Sequence, residues 1–380
     1  MIYLDYVSTT PLNSEVNKMY QSLLNNYFAN SDSLYSLGIQ TSRFMEQSRH
    51  LIAEMLNVKP TEIIFTSGAS ESNNMAIKGC AFQYQNRGKH IITTAIEHSS
   101  VYNTFVQLRD VFGFEVDFIS VDQEGNLNLD ELASKIRKDT ILVSTMYVNN
   151  EIGVVNPIRK IKEIIEKCNP ITKYHVDMVQ ALGKIPIDLS IVDLASFSAH
   201  KIYGLKGSGI LYKKESTSLV PLINGGQQEE GMRGGTSNTA THTMFAKTLR
   251  LALENQDEKY QHVLSIHQYV RQELEKEEDI VINTPIKNFS PYILNFSCIG
   301  YKPEVLLHAL EKMECYISTK STCSSHKNDV SKTLAAMKLN DDIAKSALRI
   351  SFSHLTTQEE IDEFLYHLHK ILKSIKKQRG

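Results

Sequence analysis

Three residues far apart in the chain carry side chains suited to covalent and acid–base chemistry: Lys201, Asp177 and Cys323. Lys201 stands in SFSAHKIYGLKGSG, from Ser196 to Gly209, just past an apolar run from Val192 to Phe197 that predicts a short buried strand. Open α/β sheets bind ligands at the carboxyl ends of their strands. A lysine partly desolvated there can serve as a Schiff-base amine. Read alone, however, the stretch is better explained by a solvated loop lysine. The order G-x-x-x-x-G-K-[ST] is absent, which argues against a nucleotide phosphate loop. Asp177 closes a second predicted strand, Lys173 to Asp177, with Gln180 three residues on. An acid at a strand end most often caps the next helix. It is also what keeps a pyridine ring nitrogen protonated.

Cys323 lies in a polar stretch without period, Ser318 to Lys327, flanked by Lys320, His326 and Lys327. Exposure and nearby positive charge favour a thiolate. The competing reading is an incidental exposed thiol. The other four cysteines, Cys80, Cys168, Cys298 and Cys315, read as small buried hydrophobes. Arg349 alternates with Leu348, Ile350 and Phe352 in a predicted strand. It suits either a structural ion pair or a fork onto a substrate carboxylate.

Further polar stretches fall where apolar strands end. Ile63 to Phe65 leads into Thr66–Ser72, whose hydroxyls and glycine at a helix start suit either an anion or simple capping. His90 to Thr94 leads to Glu97 and His98, and a histidine there hydrogen-bonds more often than it catalyses. Ile141 to Val148 ends in Asn149-Asn150-Glu151-Ile152-Gly153. The segment Asn224 to Asn238 is glycine-rich and carries Arg233 and Thr236.

The elements that must position these residues alternate. Predicted strands at 63–65, 90–94, 114–119, 141–148, 173–177, 192–197 and 208–212 are separated by helical patterns such as Ile158 to Lys167. That alternation argues for an α/β fold with a mainly parallel sheet covered on both faces. Residues 1–14 read as an arm, and 240 to about 278 as a long helical bridge. Beyond it, strands at 292–296 and 348–352 and helices at 304–313, 331–338 and 358–375 predict a smaller α+β domain. The expected division is an arm (1–14), a large domain (15–255) and a small domain (256–380) holding the Cys323 loop. With 380 residues, 42% hydrophobic and 22% charged, the chain has ample core material, and its net charge of −2 gives no global pull on nucleic acid or anionic membranes. No apolar run is long enough for a bilayer and no secretory signal is visible. Five scattered cysteines without a C-x-x-C pair argue against a structural zinc site or a disulfide framework, and for a reducing, cytoplasmic setting.

Taken in order, Leu4-Asp5-Tyr6, Thr66–Ser72, Glu97-His98, Asn149–Gly153, His175-Val176-Asp177, Ser196–Lys201 and Arg233–Thr236 resemble the cysteine desulfurases. These are pyridoxal 5'-phosphate enzymes of the class V aminotransferase group. The match spans nearly the whole chain. The resemblance implies a pyridoxal-phosphate transferase fold of type I, with a seven-stranded sheet and a smaller C-terminal domain. It implies that Lys201 carries the cofactor through its amine and that Asp177 pairs with the ring nitrogen. Gln180 and Asn150 then lie at the ring oxygen, Asn150 also near substrate, and His98 stacks on the ring and relays protons. Ala69, Ser70, Ser198 and His200 hold the phosphate, with Thr236 reaching the phosphate of a second subunit in a homodimer. Arg349 clamps the carboxylate of L-cysteine. Cys323 takes its sulfur as a persulfide for transfer to an acceptor protein, since thiol exchange then completes the transfer.

The chain departs from the family pattern in three places. Where members carry G-N-P-S-S-x-H it reads Ala29-Asn30-Ser31-Asp32-Ser33-Leu34-Tyr35. Where they carry S-S-G-S-A-C it reads Ser318-Thr319-Lys320-Ser321-Thr322-Cys323. It ends at Gly380 without the extended tail of housekeeping members. These departures suggest an acceptor other than the iron–sulfur scaffold, such as a tRNA- or thiazole-thiolating protein. The basic residues Lys373, Lys376, Lys377 and Arg379 suit docking, or simply complement a helix end. Two rival readings share the fold: an aminotransferase or a lyase on selenocysteine or cysteine sulfinate, independent of Cys323, and a scaffold without turnover.

Overall fold

The computed structural model describes residues 1–319, 330–375 and 377. Cys323 and its neighbours Lys320, Thr322, His326 and Lys327 lie outside the described residues. In chain order the first elements are strand β1 (Ile2–Tyr3), helices α1 (Ser14–Asn26) and α2 (Ser36–Met55), β2 (Ile63–Thr66), α3 (Ala69–Tyr84), β3 (His90–Thr94) and α4 (Ser99–Phe112). There follow β4 (Glu115–Ile119), α5 (Leu129–Lys135), β5 (Thr140–Met146), α6 (Ile158–Cys168), β6 (Lys173–Asp177), β7 (Leu194–Ser198) and β8 (Gly209–Lys213).

The strands β2 to β8 form one seven-stranded sheet in the order β2-β8-β7-β6-β5-β3-β4. Its neighbours are parallel except for β8, which runs antiparallel to both β2 and β7. The central strands read TILVSTM, KYHVD and LASFS because both faces are covered, and nearly every residue in them is buried. Helix α6 shows the complementary logic: Ile158, Ile161 and Ile165 form one buried stripe along an otherwise polar helix.

The expected helical bridge from 240 to 278 is two helices, α7 (Thr239–Leu253) and α8 (Gln256–Leu274), parted at Asn255. Asn255 takes a left-handed backbone (φ +51°), which a single asparagine tolerates within an otherwise helical pattern. Then come β9 (Ile280–Ile282), β10 (Ile293–Cys298), α9 (Pro303–Glu311), β11 (Cys315–Tyr316), α10 (Lys332–Ala336), α11 (Asp341–Lys345), β12 (Ala347–Ser351) and α12 (Gln358–Ser374). The strands β12, β10 and β9 make an antiparallel sheet in that order. Strand β9 is too short, at three residues, to have shown a period in the sequence.

The N-terminal arm joins the two sheets. Strand β1 pairs in parallel with β11, the Leu4 amide donates to the Tyr316 carbonyl at 2.8 Å, and the Ser351 amide donates to Leu4 at 2.8 Å. Farther along, the Thr10 amide donates to the His200 carbonyl at 3.0 Å and that of Asn13 to Tyr203 at 2.9 Å. Leu4 and Val7 are buried, so this arm is part of the core rather than a loose end. One cysteine departs from its expected setting: Cys80, Cys298 and Cys315 are buried, but Cys168 is exposed at the last turn of α6.

Candidate active site

Parallel strands deliver their carboxyl ends to one side of the sheet, and the loops that follow carry the polar residues. Ser67–Ser70 follow β2, His98 follows β3, Asn150 follows β5, Gln180 follows β6 and Lys201 follows β7. The antiparallel β8 brings Gly207 to the same side from its other end. These loops enclose a cleft of about 450 Å³. Ala69, Ser70, His98, Asn150, Asp177, Gln180, Ser198, His200, Lys201 and Arg349 all line it. Thr236 is exposed and lies outside that lining.

Asp177 is buried at the floor. Its Oδ1 accepts from the Val179 amide at 3.0 Å and its Oδ2 from Asn73 Nδ2 at 2.9 Å. Among the described residues no lysine or arginine forms an ion pair with it, and both of its oxygens accept from neutral donors. Asn73 extends the network: its Nδ2 also donates to Ser100 Oγ at 2.9 Å, which sits 2.8 Å from His98 Nδ1. The Ser100 amide donates to the same Nδ1 at 3.2 Å, which assigns that nitrogen a lone pair and leaves the imidazole proton on Nε2. Asn73 and Ser100 escaped notice in the sequence because only the fold puts them between Asp177 and His98.

Lys201 Nζ donates to the carbonyls of Val7 (2.7 Å) and Ser8 (2.6 Å), both in the arm. His200 Nδ1 lies 3.1 Å from Thr9 Oγ1. Burial, with the charges of Lys201 and Lys206, pushes the His200 pKa down to about 4, so it is neutral at physiological pH.

Arg349 enters from β12 and is almost wholly buried. Its Nη1 donates to the Asn150 carbonyl at 2.8 Å, and Nη2 to Asp5 Oδ1 and Ser8 Oγ, each at 2.9 Å. Its Nε is buried and has no hydrogen-bond partner among the described residues. The guanidinium is therefore held by a structural ion pair, the first of the two sequence readings, while it borders the cleft. Asn149 is the structural half of the Asn-Asn pair. Its Oδ1 accepts from the amides of Glu151 (2.8 Å) and Ile152 (2.9 Å), which fixes the turn that brings Asn150 to the cleft.

The residues present fit pyridoxal phosphate. A phosphate suits the start of α3, where the first amides lack intrahelical acceptors and the N-cap, Gly68, has no side chain to take them. Space is kept open there by backbone: a Cβ on Gly209 would stand 2.5 Å from the Gly68 Cα. A protonated ring nitrogen suits the buried, cation-free Asp177. The Oδ1 of Asn73, buried without a partner beside it, is a further unsatisfied polar atom at that floor.

The aminotransferase class-V family model matches residues 2–364. The chain belongs to the class-V aminotransferase family. Within it, this class-V chain is 45% identical to a NifS/IcsS protein homolog of Lactobacillus delbrueckii subsp. bulgaricus over 369 residues, 96% of this chain and 95% of that one. It is 41% identical to a cysteine desulfurase IscS of Salmonella newport over 381 residues, 98% of this chain and 92% of the other. Among solved structures, a NifS-like protein superposes with a TM-score of 0.93 at 35% identity, covering 98% of this chain and all of that one. The mainly parallel sheet of this class-V member is thus the type I fold of its relatives.

Proposed function

We propose that the protein is a cysteine desulfurase, which converts L-cysteine to L-alanine and keeps the sulfur as a persulfide on Cys323. The observation that carries the reading is the convergence of Lys201, the cation-free Asp177, Gln180 and Arg349 on one cleft. When bound, pyridoxal phosphate supplies an electron sink that labilises the substrate's α-proton and weakens its Cβ–S bond. The Lys201 amine would hold the cofactor, with Asp177 to pair with its ring nitrogen, Gln180 and Asn150 to meet its ring oxygen and His98 to pack against the ring. Ala69, Ser70, Ser198 and His200 would hold the phosphate, and neutral His200 would donate to it without adding charge.

The chain's own groups do the remaining work. Arg349 orients the substrate carboxylate, and the Lys201 amine moves the proton at Cα. The Cys323 thiolate forms a bond to the substrate sulfur as the Cβ–S bond breaks with its electron pair on carbon. A proton delivered to Cβ completes alanine, and the sulfur stays on the enzyme. Support for bringing Cys323 here comes from the ends of its segment. Ser318 and Arg349 exchange backbone hydrogen bonds at 3.0 and 2.7 Å, and Ser331 Oγ donates to the Glu151 carboxylate next to Asn150.

The same reading includes a homodimer and an acceptor protein with its own thiol, in a tRNA- or thiazole-thiolating route. Exposed Leu24, Phe28, Leu34 and Tyr35 at the junction of α1 and α2 support self-association, and a light-scattering mass near 43.1 kDa instead of about twice that speaks against it. Among the described residues no helix is long and apolar enough to cross a membrane; cytoplasmic location belongs to the proposal.

Borohydride reduction of the yellow holoprotein, then peptide mass spectrometry, tests the cofactor assignment. The predicted adduct is on the Lys201 peptide. An adduct on Lys184 or Lys206 instead would contradict it.

A further inference from the structure

We propose that Lys184 is a positioning residue that fixes the Gln180 amide, so that its N–H end, not its carbonyl, faces Lys201 and the cleft. Lys184 Nζ donates to Gln180 Oε1 at 2.7 Å. At the other end, Gln180 Nε2 donates to the Val7 carbonyl at 3.3 Å, the same oxygen that accepts from Lys201 Nζ. A lysine offers only donors and a carbonyl only an acceptor, so the two partners together dictate which way the amide points. Without Lys184, the flipped amide would cost only the weak bond to Val7.

Local geometry brings the lysine back over its target. The chain turns through Ala181 and Leu182, whose amides donate to the Met178 carbonyl, and Gly183 adopts φ +68°. A Cβ there would stand 2.8 Å from that of Ala252, so the turn packs tightly and Lys184 follows it inward. Behind Gln180 the amine meets a second cavity of about 280 Å³. The ionisable groups lining it are Lys201, Lys259, His354, Tyr6, Tyr203 and Tyr292, with no carboxylate among the described residues. The Tyr292 ring centroid lies 5.9 Å from Lys184 Nζ.

A buried cation without an anion is costly to keep. Burial first, then the charge of Lys201, lowers the Lys184 pKa to about 7. Either protonation state retains an N–H for Gln180 Oε1, so the lock holds on both sides of neutrality. Among the described residues no ion pair holds this lysine, whereas the amide it binds borders the reaction cleft.

The inference rests on the proposal that the cofactor's ring oxygen lies beside Gln180. A donor facing that oxygen favours its ionised form. In the Lys184→Met holoenzyme the pH midpoint of the cofactor's visible absorbance is expected to rise by about half to one unit, the size of one ordinary hydrogen bond. Lys184→Arg, which keeps a donor, should restore most of it. On a Gln180→Ala background, Lys184→Met should add almost nothing. A midpoint unchanged in Lys184→Met, or an equal rise on the Gln180→Ala background, overturns the proposal. A protein that takes up no cofactor defeats the underlying reading instead. Should Lys184→Met fail to fold, Gln180→Leu tests the pair from the other side. Trace acylation read by peptide mass spectrometry should then give Lys184 a lower titration midpoint than in the native chain, and an unchanged midpoint overturns the lock.

Discussion

Glu97 illustrates what burial does to a single side chain beside the cleft. Its carboxyl accepts from Thr94 Oγ1 at 2.6 Å and from the Met146 amide at 2.9 Å, while Oε2 is buried without a partner. Burial is the main cause that raises its pKa to about 8, despite those two donors. The acid is therefore protonated in the folded chain at neutral pH. The sign of the stability effect follows. The unfolded chain ionises this group near pH 4.5 and the folded chain near 8, so the contribution is full below about 4.5 and is lost as pH rises to 8. Glu97→Gln keeps the acceptor and removes the titration. Denaturant unfolding at pH 5, 6.5 and 8 should show the native chain weakening more with pH than the variant. Parallel pH dependences would contradict a buried, protonated Glu97.

Among elements, the strand ends were legible from sequence and the partners behind them were not. Strand-terminal polar runs stand out against apolar strands, so Asn150, Asp177, Gln180 and Lys201 could be placed at strand ends, while their site roles followed only from the family resemblance. Asn73 and Ser100 sit inside helical patterns, and their link to Asp177 exists only through space. The hold of Asp5 and Ser8 on Arg349 was hidden for another reason: it spans some 340 residues of sequence, although Leu4-Asp5-Tyr6 itself stood out as a motif. Val7 contributes a carbonyl, which no residue type announces. The turn between β2 and α3 depends on close backbone approach to β8, and a single methyl tests it. Gly209→Ala places its Cβ against the Gly68 backbone, so it should destabilise the fold by about 1–3 kcal/mol. It should also weaken cofactor retention at least tenfold, measured by equilibrium dialysis. Native-like retention would show that the start of α3 is not the phosphate site.

At the scale of the whole molecule, the arm is what ties chemistry to architecture. It pairs with β11 and Ser351 on the C-terminal side, then supplies both carbonyls that receive Lys201 and the groups that hold Arg349. The left-handed break at Asn255 parts α7 from α8, and there we propose the boundary between a large and a small domain. With that proposed division, the C-terminal part presents Arg349, and in our proposal Cys323, to a cleft whose other lining comes from the seven-stranded sheet and the N-terminal arm. Incubating the holoenzyme with L-cysteine, then quantifying alanine alongside mass spectrometry of the residue-323 peptide, tests the central claim most directly. The account predicts a mass gain of one sulfur on Cys323 with one alanine formed per persulfide in the first turnover, and loss of both in Cys323→Ala. Alanine produced at an undiminished rate by Cys323→Ala, or a first turnover that leaves Cys323 unmodified, would contradict it.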